Sequence, residues 1–359
     1  MTKASATFLG APTQPPVISG FEFWPGWFFY LPMVLQWIAL GIRHGDFSLP
    51  TAANPNIETG GLCGESKTSI LDQVGTAQRG VLARYVRLSA PDIDGAERAM
   101  AAHGLSYPVV VKPDIGCNGT GVRLVRTRTD VAAYLAEFPA GLSVMIQRLA
   151  TSPGEAGIFY VRPPGEARGR ITSLTLKFAP SVTGDGRSTI RDLILADPRM
   201  GRVPDLYLPR LGDRQHDMLR RGEEFQPVFV GNHCKGSVFV DGQEHITPAL
   251  TRRMEAIAGA IPEFHFGRFD VRYDTLAGLR RGEGFTIIEI NGVGSEATHV
   301  WDARTSLWRA WADELAHFGA AFAIGAANRR RGFRSSGLVA MFRAWRRQSA
   351  LMASYPNNN

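Results

Sequence analysis

Asp270 and Glu289 stand in two segments, 267–274 and 285–291, that alternate apolar and polar residues on either side of a glycine-containing loop. Such alternation predicts two adjacent antiparallel strands. Side chains repeat along a strand with period two, so Arg268 shares a face with Asp270, and Asn291 shares one with Glu289. Paired side by side, Asp270, Glu289 and Asn291 make a cluster of oxygens. Carboxylates and an amide carbonyl are the hard ligands that Mg²⁺ or Mn²⁺ prefers, and Mg²⁺ takes its remaining ligands from phosphates and water. The intervening residues Phe269, Val271, Ile287, Ile288 and Ile290 give the strands a buried character, in which unpaired carboxylates are costly. The alternative is a solvated acidic strand face.

A second group lies upstream. The stretch 107–113 reads as a strand carrying Lys112 at its end between two prolines. It runs into a loop containing Gly116, Asn118, Gly119, Thr120 and Gly121, whose backbone N–H groups can approach phosphate oxygens without obstruction. Alone, a glycine-rich turn also fits a hairpin of no function. Gly61 to Thr68 resembles a phosphate-binding P-loop but lacks the glycine directly before Lys67. Glu65, Ser66 and Lys67 are therefore candidates for the substrate side, at the start of a helix expected over 69–87, with plain helix capping as the alternative. Amphipathic helices are expected over 91–103 and 250–261, another from Ser188, and a terminal one over 307–327.

These elements sit in a chain of 359 residues with a net charge of +7, which favours anionic partners such as nucleotides or anionic lipid headgroups. Cys63, Cys117 and Cys234 form neither a metal-ligand spacing nor an even disulfide set, and the N-terminus shows no secretory pattern, so a reducing cytoplasmic setting is expected. No Ser-His-Asp or Cys-His arrangement is evident. The apolar, aromatic-rich segment 21–42 is shorter from Trp27 to Ile42 than the ~20 residues that cross a bilayer. It reads as an interfacial helix, or as one packed on the rest of the protein. The stretch 329–347 is strongly basic, with Val339, Phe342 and Trp345 on one helical face among Arg343, Arg346 and Arg347. Both ends therefore point to an anionic membrane surface and a peripheral location at its cytoplasmic side. RNA binding is the rival reading of the tail, and no nucleic acid is expected.

In this order, Val111-Lys112-Pro113, the loop from Gly116 to Gly121, Met145-Ile-Gln147-Arg148-Leu149, Arg268-Phe-Asp270 and Glu289-Ile-Asn291 resemble the motifs of the ATP-grasp superfamily. The likeness is closest to its carboxylate–amine ligases of the D-alanine:D-alanine ligase and cyanophycin-synthetase types. Thr183 to Ile194 and Gly231 to Gly236 add to it. It covers about residues 106–325. The resemblance implies an α+β fold whose two subdomains clasp ATP. It implies that Lys112 and Lys177 contact phosphates, that the loop Gly116, Asn118, Gly119, Thr120, Gly121 is a lid, and that Gln147, Arg148 and Leu149 form the hinge at adenine. Glu155 would face the ribose or purine, and Arg162 is a weaker candidate for the transferred phosphate. Arg268, with Lys177, would steady transition-state charge; Asp270, Glu289 and Asn291 would hold Mg²⁺. Beyond the metal strand, Gly294 and Ser295 are expected to donate to an oxyanion, with His299 as a possible base or a structural residue.

The expected division is an N-terminal tail 1–20, an apolar segment 21–45, a substrate-side region 46–105, an ATP-grasp subdomain with the flap at 106–180, a second with the metal site at 181–328, and a basic tail 329–359. The stretch 197–222 has no clear periodicity. The implied activity is ADP-forming ligation of a carboxylate to an amine through an acyl phosphate, on a small-molecule or lipid substrate. The alternatives are transfer of phosphate to a hydroxyl and a non-catalytic nucleotide-binding adaptor.

Overall fold

The computed structural model describes residues 18–89, 92–229, 231–233 and 236–356. The first 17 residues of the expected tail, Cys234 and Lys235 of the glycine-rich turn, and the last three residues lie outside them. Two antiparallel sheets organise this α+β fold. The first has the order β1-β4-β2-β3, from β1 (Tyr85–Ser89), β2 (Val109–Pro113), β3 (Arg123–Val125) and β4 (Ser143–Arg148). The second contains β5 (Gly154–Val161), β6 (Arg170–Phe178), β9 (Val238–Asp241), β10 (Phe266–Tyr273) and β11 (Phe285–Asn291), in the order β11-β10-β5-β6-β9, and a two-stranded antiparallel sheet of β7 (Val182–Thr183) and β8 (Glu224–Phe225) stands apart.

Each sheet buries one face under helices. Val86, Val109, Val111, Val144 and Ile146 of the first pack on Ala96 and Met100 of the helix Ile93–Ala102 and on Val131 and Tyr134 of Arg128–Glu137. That second helix starts where a capping box of Thr127 and Asp130 satisfies the first free N–H groups. The other sheet packs Ile158, Leu174, Phe269, Val271 and Ile287 against Leu250, Met254 and Ile257 of the helix Pro248–Ala258. The stretch 197–222 is not featureless: Met200, Tyr207, Leu211 and Leu219 join Ile190 and Ile194 in a small core beside this two-stranded sheet.

Three expectations are revised. The helix expected over 69–87 stops at Asp72, because Gly75 and Gly80 follow and 85–89 alternates in period two to become β1. Strand pairing divides the chain elsewhere than at 180: β5 and β6 belong to the sheet that carries the acidic strands, while β1, from the region read as substrate side, edges the first sheet. The apolar N-terminal segment is half embedded. In the helix Leu31–His44, Met33 and Gly41 are buried and Trp37 packs on Phe318 and Phe322 of the 24-residue helix Leu307–Arg330. Trp27, Leu31, Leu35, Ile38 and Ile42 remain exposed. Among the described residues no helix is long and apolar enough to cross a membrane.

Backbone-to-backbone packing fixes the N-terminal region on the second sheet. Val293 and Gly294 donate to the carbonyls of Gly60 and Gly61, and a Cβ on Gly61 would lie 2.6 Å from the Gly292 Cα. Buried Asn54 ties the same loop to the start of β10. Its amide donates to Gly60 O and Phe266 O, and its oxygen accepts from the N–H groups of His265 and Phe266.

Candidate active site

One cleft of about 680 Å³ opens between the sheets. From the first sheet come Lys112 at the end of β2, the loop after it, and Gln147 to Ala150, where the chain crosses from β4 toward β5. From the second come Glu155, Lys177, Arg268, Asp270, Arg272, Ile288, Glu289 and Asn291.

The acidic strands pair as their spacing requires, with Asp270 opposite Glu289 and Arg268 opposite Asn291. A bulge follows Asp270 and leaves Ile288 outside the ladder. Its carbonyl accepts from Lys112 Nζ at 3.2 Å and from Gln147 Nε2 at 3.1 Å, so two side chains of the first sheet close on the second through one backbone oxygen.

Asp270 is the electrostatic centre. Burial opposes its charge, but Arg268 and Lys177 outweigh burial and hold its carboxyl well below the usual carboxylate range. Lys177 Nζ lies 2.8 Å from one oxygen, Arg268 Nε 3.0 Å from the same atom and Nη2 3.2 Å from the other, to which Asn291 Nδ2 also donates at 3.1 Å. A buried pair survives only with such geometry and added hydrogen bonds. Around it, Lys177 reaches Glu155 at 3.5 Å, Arg272 reaches Glu155 at 3.4 Å, and Lys67 reaches Glu289 at 3.4 Å. Burial, aided by neighbouring Lys67, lowers the Lys112 pKa against the pull of Glu289. Burial also raises that of Glu65, which lines the cleft with Lys67.

Of the expected nucleotide contacts, Lys112, Gly116, Asn118, Gly119, Thr120, Gln147, Arg148, Leu149, Glu155 and Lys177 all line this cleft. Gly121 does not. At φ +72° it turns the chain into β3, and a Cβ there would lie 2.7 Å from Pro113 Cγ. Asn118 adopts φ +54° and Gly119 φ +66°, a left-handed stretch that few residues but glycine and asparagine take, and Thr120 N–H donates to Cys117 O across the turn.

Gly294 and Ser295 also border the cleft, but their donors are engaged within the protein. Gly294 N–H donates to Gly61 O at 2.7 Å, and the Ser295 hydroxyl and N–H both bond to Gly292 O. In this arrangement they shape the loop at the edge of the cleft. His299 lies outside the cleft lining, held by Ser173 Oγ at 2.8 Å and Asp313 at 3.1 Å, and Arg162 pairs with Glu255, also outside it.

Sequence reasoning missed the wall built by the N-terminal segment. Glu22, Trp24 and Tyr30 line the cleft with His233, Glu296 and Trp301. Buried Glu22 bonds to Arg199 and to His233 Nε2, while Tyr30 OH and Trp301 Nε1 donate to Glu296. The contiguous aromatic run was visible in the sequence; its position over the acidic strands was not.

No family model matches the chain. Cyanophycin synthetase of Synechocystis sp. is 26% identical over 255 residues, which are 66% of this chain and 27% of that protein. The chain resembles the carboxylate–amine ligases of the ATP-grasp superfamily. It spans about a quarter of the length of the curated relative it matches. Among solved structures, D-alanine–D-alanine ligase from Bacillus anthracis aligns with 77% of this chain and 71% of its own at 12% identity and a TM-score of 0.43. The bifunctional glutathione synthetase from Pasteurella multocida aligns with 71% and 35% at 15% identity and 0.36.

His317 supports the floor of the site by donating from Nε2 to Ser295 O at 2.9 Å, and burial lowers its pKa to about 4. Between that value and the ordinary 6.5 of an unfolded histidine, the unfolded chain binds more protons than the native one. Stability contributed by this group is therefore complete above about pH 6.5 and lost as the pH falls toward 4. In urea titrations, wild type should lose up to about 3 kcal/mol more than His317→Gln between pH 7 and pH 4. Equal losses would contradict the assignment.

Proposed function

We propose that the chain is an ATP-dependent carboxylate–amine ligase. The observation that carries this reading is the register that sets Asp270, Glu289, Asn291 and Arg268 on one face of the cleft, directly opposite Lys112 and a glycine-rich loop. The reaction is transfer of the γ-phosphoryl group of ATP to a substrate carboxylate, breaking its bond to ADP, then attack by an amine nitrogen on the acyl carbon with loss of phosphate. Such chemistry needs charge neutralisation and alignment and no protein nucleophile.

The residues present fit a divalent metal in kind. Among the described residues no group of three His, Cys, Asp or Glu could hold one alone, and two carboxylates with an amide oxygen are an incomplete set of the sort that Mg²⁺ completes from phosphate oxygens. Asp270, Glu289 and Asn291 would hold the ion, which would neutralise charge on the phosphates. Lys112 and Lys177 bring two positive charges to the nucleotide side, Gln147 joins the two sheets at the hinge, and Arg268 stands where negative charge develops. Asp270 keeps Arg268 and Lys177 oriented until phosphate oxygens compete for them. The wall of Glu22, Trp24, Tyr30 and Trp301 excludes water and borders the acceptor.

Purified protein given ATP, Mg²⁺, hydroxylamine and pooled small carboxylates should release ADP and form an acid-stable hydroxamate. Lys112→Ala and Asp270→Asn should each lower the rate at least about 100-fold, the usual scale for removing one preorganised charge contact. ADP release without hydroxamate would instead indicate transfer to a hydroxyl.

A membrane-delivered substrate is part of the proposal. What supports it is the exposed row Trp27, Leu31, Leu35, Ile38 and Ile42, with exposed Leu338, Val339, Phe342 and Trp345 on the basic C-terminal helix Leu338–Ser354. Arg329, in the last turn of the helix Leu307–Arg330, donates to His44 O, and Ser335, in the connection to the C-terminal helix, donates to Asp46, which ties the approach to that helix to the end of Leu31–His44. The protein should co-sediment with vesicles containing phosphatidylglycerol and not with pure phosphatidylcholine, and Ile38→Asp with Arg346→Glu should abolish this. Absence of wild-type binding to anionic vesicles would remove the membrane from the account and leave the ligase chemistry standing.

A further inference from the structure

The C-terminal helix Leu338–Ser354, beyond the stretch 106–325 that carries the ligase-like motifs, reaches into the cleft. Gln348 is among the lining residues. Its Oε1 accepts from Gly64 N–H, and its Nε2 lies 3.2 Å from the sulfur of Cys117, within the glycine-rich loop. Met352, one turn further on, places its sulfur 3.4 Å from the same Cys117 atom. Just past the helix, the Tyr355 hydroxyl donates to Ile115 O at 2.7 Å, and its ring stacks on Phe138 with centroids 5.4 Å apart and planes 7° from parallel. The same side chain also covers the outside of the loop: a Cβ on Gly116 would lie 3.4 Å from the Tyr355 ring, and one on Gly121 3.3 Å from the Tyr355 Cβ. From the other side, the Lys67 ammonium bonds to Gly116 O, and Ser66 pairs with Ile115 as an isolated bridge.

A loop this rich in glycine has many conformations to lose when it closes on a ligand, and the loss opposes binding. We infer that Gln348 and Tyr355 are positioning residues that hold the glycine-rich loop in its phosphate-facing conformation before nucleotide arrives. The inference rests on the nucleotide reading of the cleft. It makes the end of the chain part of the site: the helix supplies no reacting group, but it lowers the cost of ordering the loop that does the holding. The same helix turns Phe342 and Trp345 outward, so its inner and outer faces are distinct.

The test uses full-length protein and two readouts. Hydrogen exchange of the peptide covering 115–121 is measured without nucleotide, and binding of mant-ATP with Mg²⁺ is measured by fluorescence, for wild type, Gln348→Ala, Tyr355→Phe, Tyr355→Ala and the exposed-site control Ser349→Ala. Exchange in 115–121 should quicken in the first three variants while peptides of β10 stay unchanged, and the mant-ATP Kd should rise about fivefold for each hydrogen bond lost. Tyr355→Phe keeps the ring and removes only the bond to Ile115, so it reports on the loop even if Tyr355→Ala fails to fold. Exchange and Kd within twofold of wild type would overturn the positioning role, as would faster exchange throughout the chain. Failure of wild type to bind mant-ATP would overturn the nucleotide reading itself, and is distinguishable because the exchange measurement requires no nucleotide.

Discussion

The site depends on burying the Asp270 carboxylate and surrounding it with Arg268, Lys177 and Asn291. Removing two charges from water costs several kcal/mol per ion unless geometry and further hydrogen bonds repay it. Here each oxygen has its own partners: Lys177 and Arg268 Nε on one, Arg268 Nη2 and Asn291 on the other. The cluster therefore constrains three strands at once, because Lys177 is on β6, Asp270 on β10 and Asn291 on β11. Between β6 and β10 lies β5, whose Gly157 sits opposite both Asp270 and Thr175. A Cβ there would press on Arg268, Asp270 and Lys177 at 3.1 to 3.5 Å, so the smallest residue clears the space in which the charges meet.

The rest of the molecule brings a second surface to this cluster. The bulge after Asp270 frees the Ile288 carbonyl, and Lys112 and Gln147 of the other sheet bond to it. The hinge side and the acidic side thus meet through a single backbone group. The N-terminal loop is fixed by contact of glycine backbones at Gly60, Gly61 and Gly292, and by Asn54, which satisfies two carbonyls and two N–H groups at full burial. Fully buried Glu314 stands apart from this scheme, and burial with the nearby Glu296 and Asp313 holds it well above the usual carboxylate range.

What the sequence discloses and what it hides follow from the range of the interactions. The pairing of Asp270 with Glu289 was legible because strand periodicity is local and the two strands are joined by a short connection. The glycine loop after Lys112 was legible for the same reason. For Gly294 and Ser295 the residue types suit an oxyanion site, but that their donors bond to Gly61 and Gly292 is a fact only three-dimensional packing decides. The segment 21–42 was ambiguous because an aromatic run suits a membrane interface and a packed wall equally, and here one end, through Glu22, Trp24 and Tyr30, turns inward while the helix after it keeps an exposed apolar side. Gln348 and Tyr355 could not be found at all: they meet Cys117 and Ile115 across more than 200 residues of chain, and no local pattern marks them.

The central claim is that Asp270, Glu289 and Asn291 hold a divalent ion together with a nucleotide. It is tested most directly by electron paramagnetic resonance of Mn²⁺ titrated into the protein with and without ATPγS. The account predicts strong Mn²⁺ binding by wild type only when ATPγS is present, loss of that binding in Glu289→Gln, and broadening of the signal when the phosphates carry ¹⁷O. Nucleotide-independent Mn²⁺ binding, or a signal unchanged in Glu289→Gln, would contradict it.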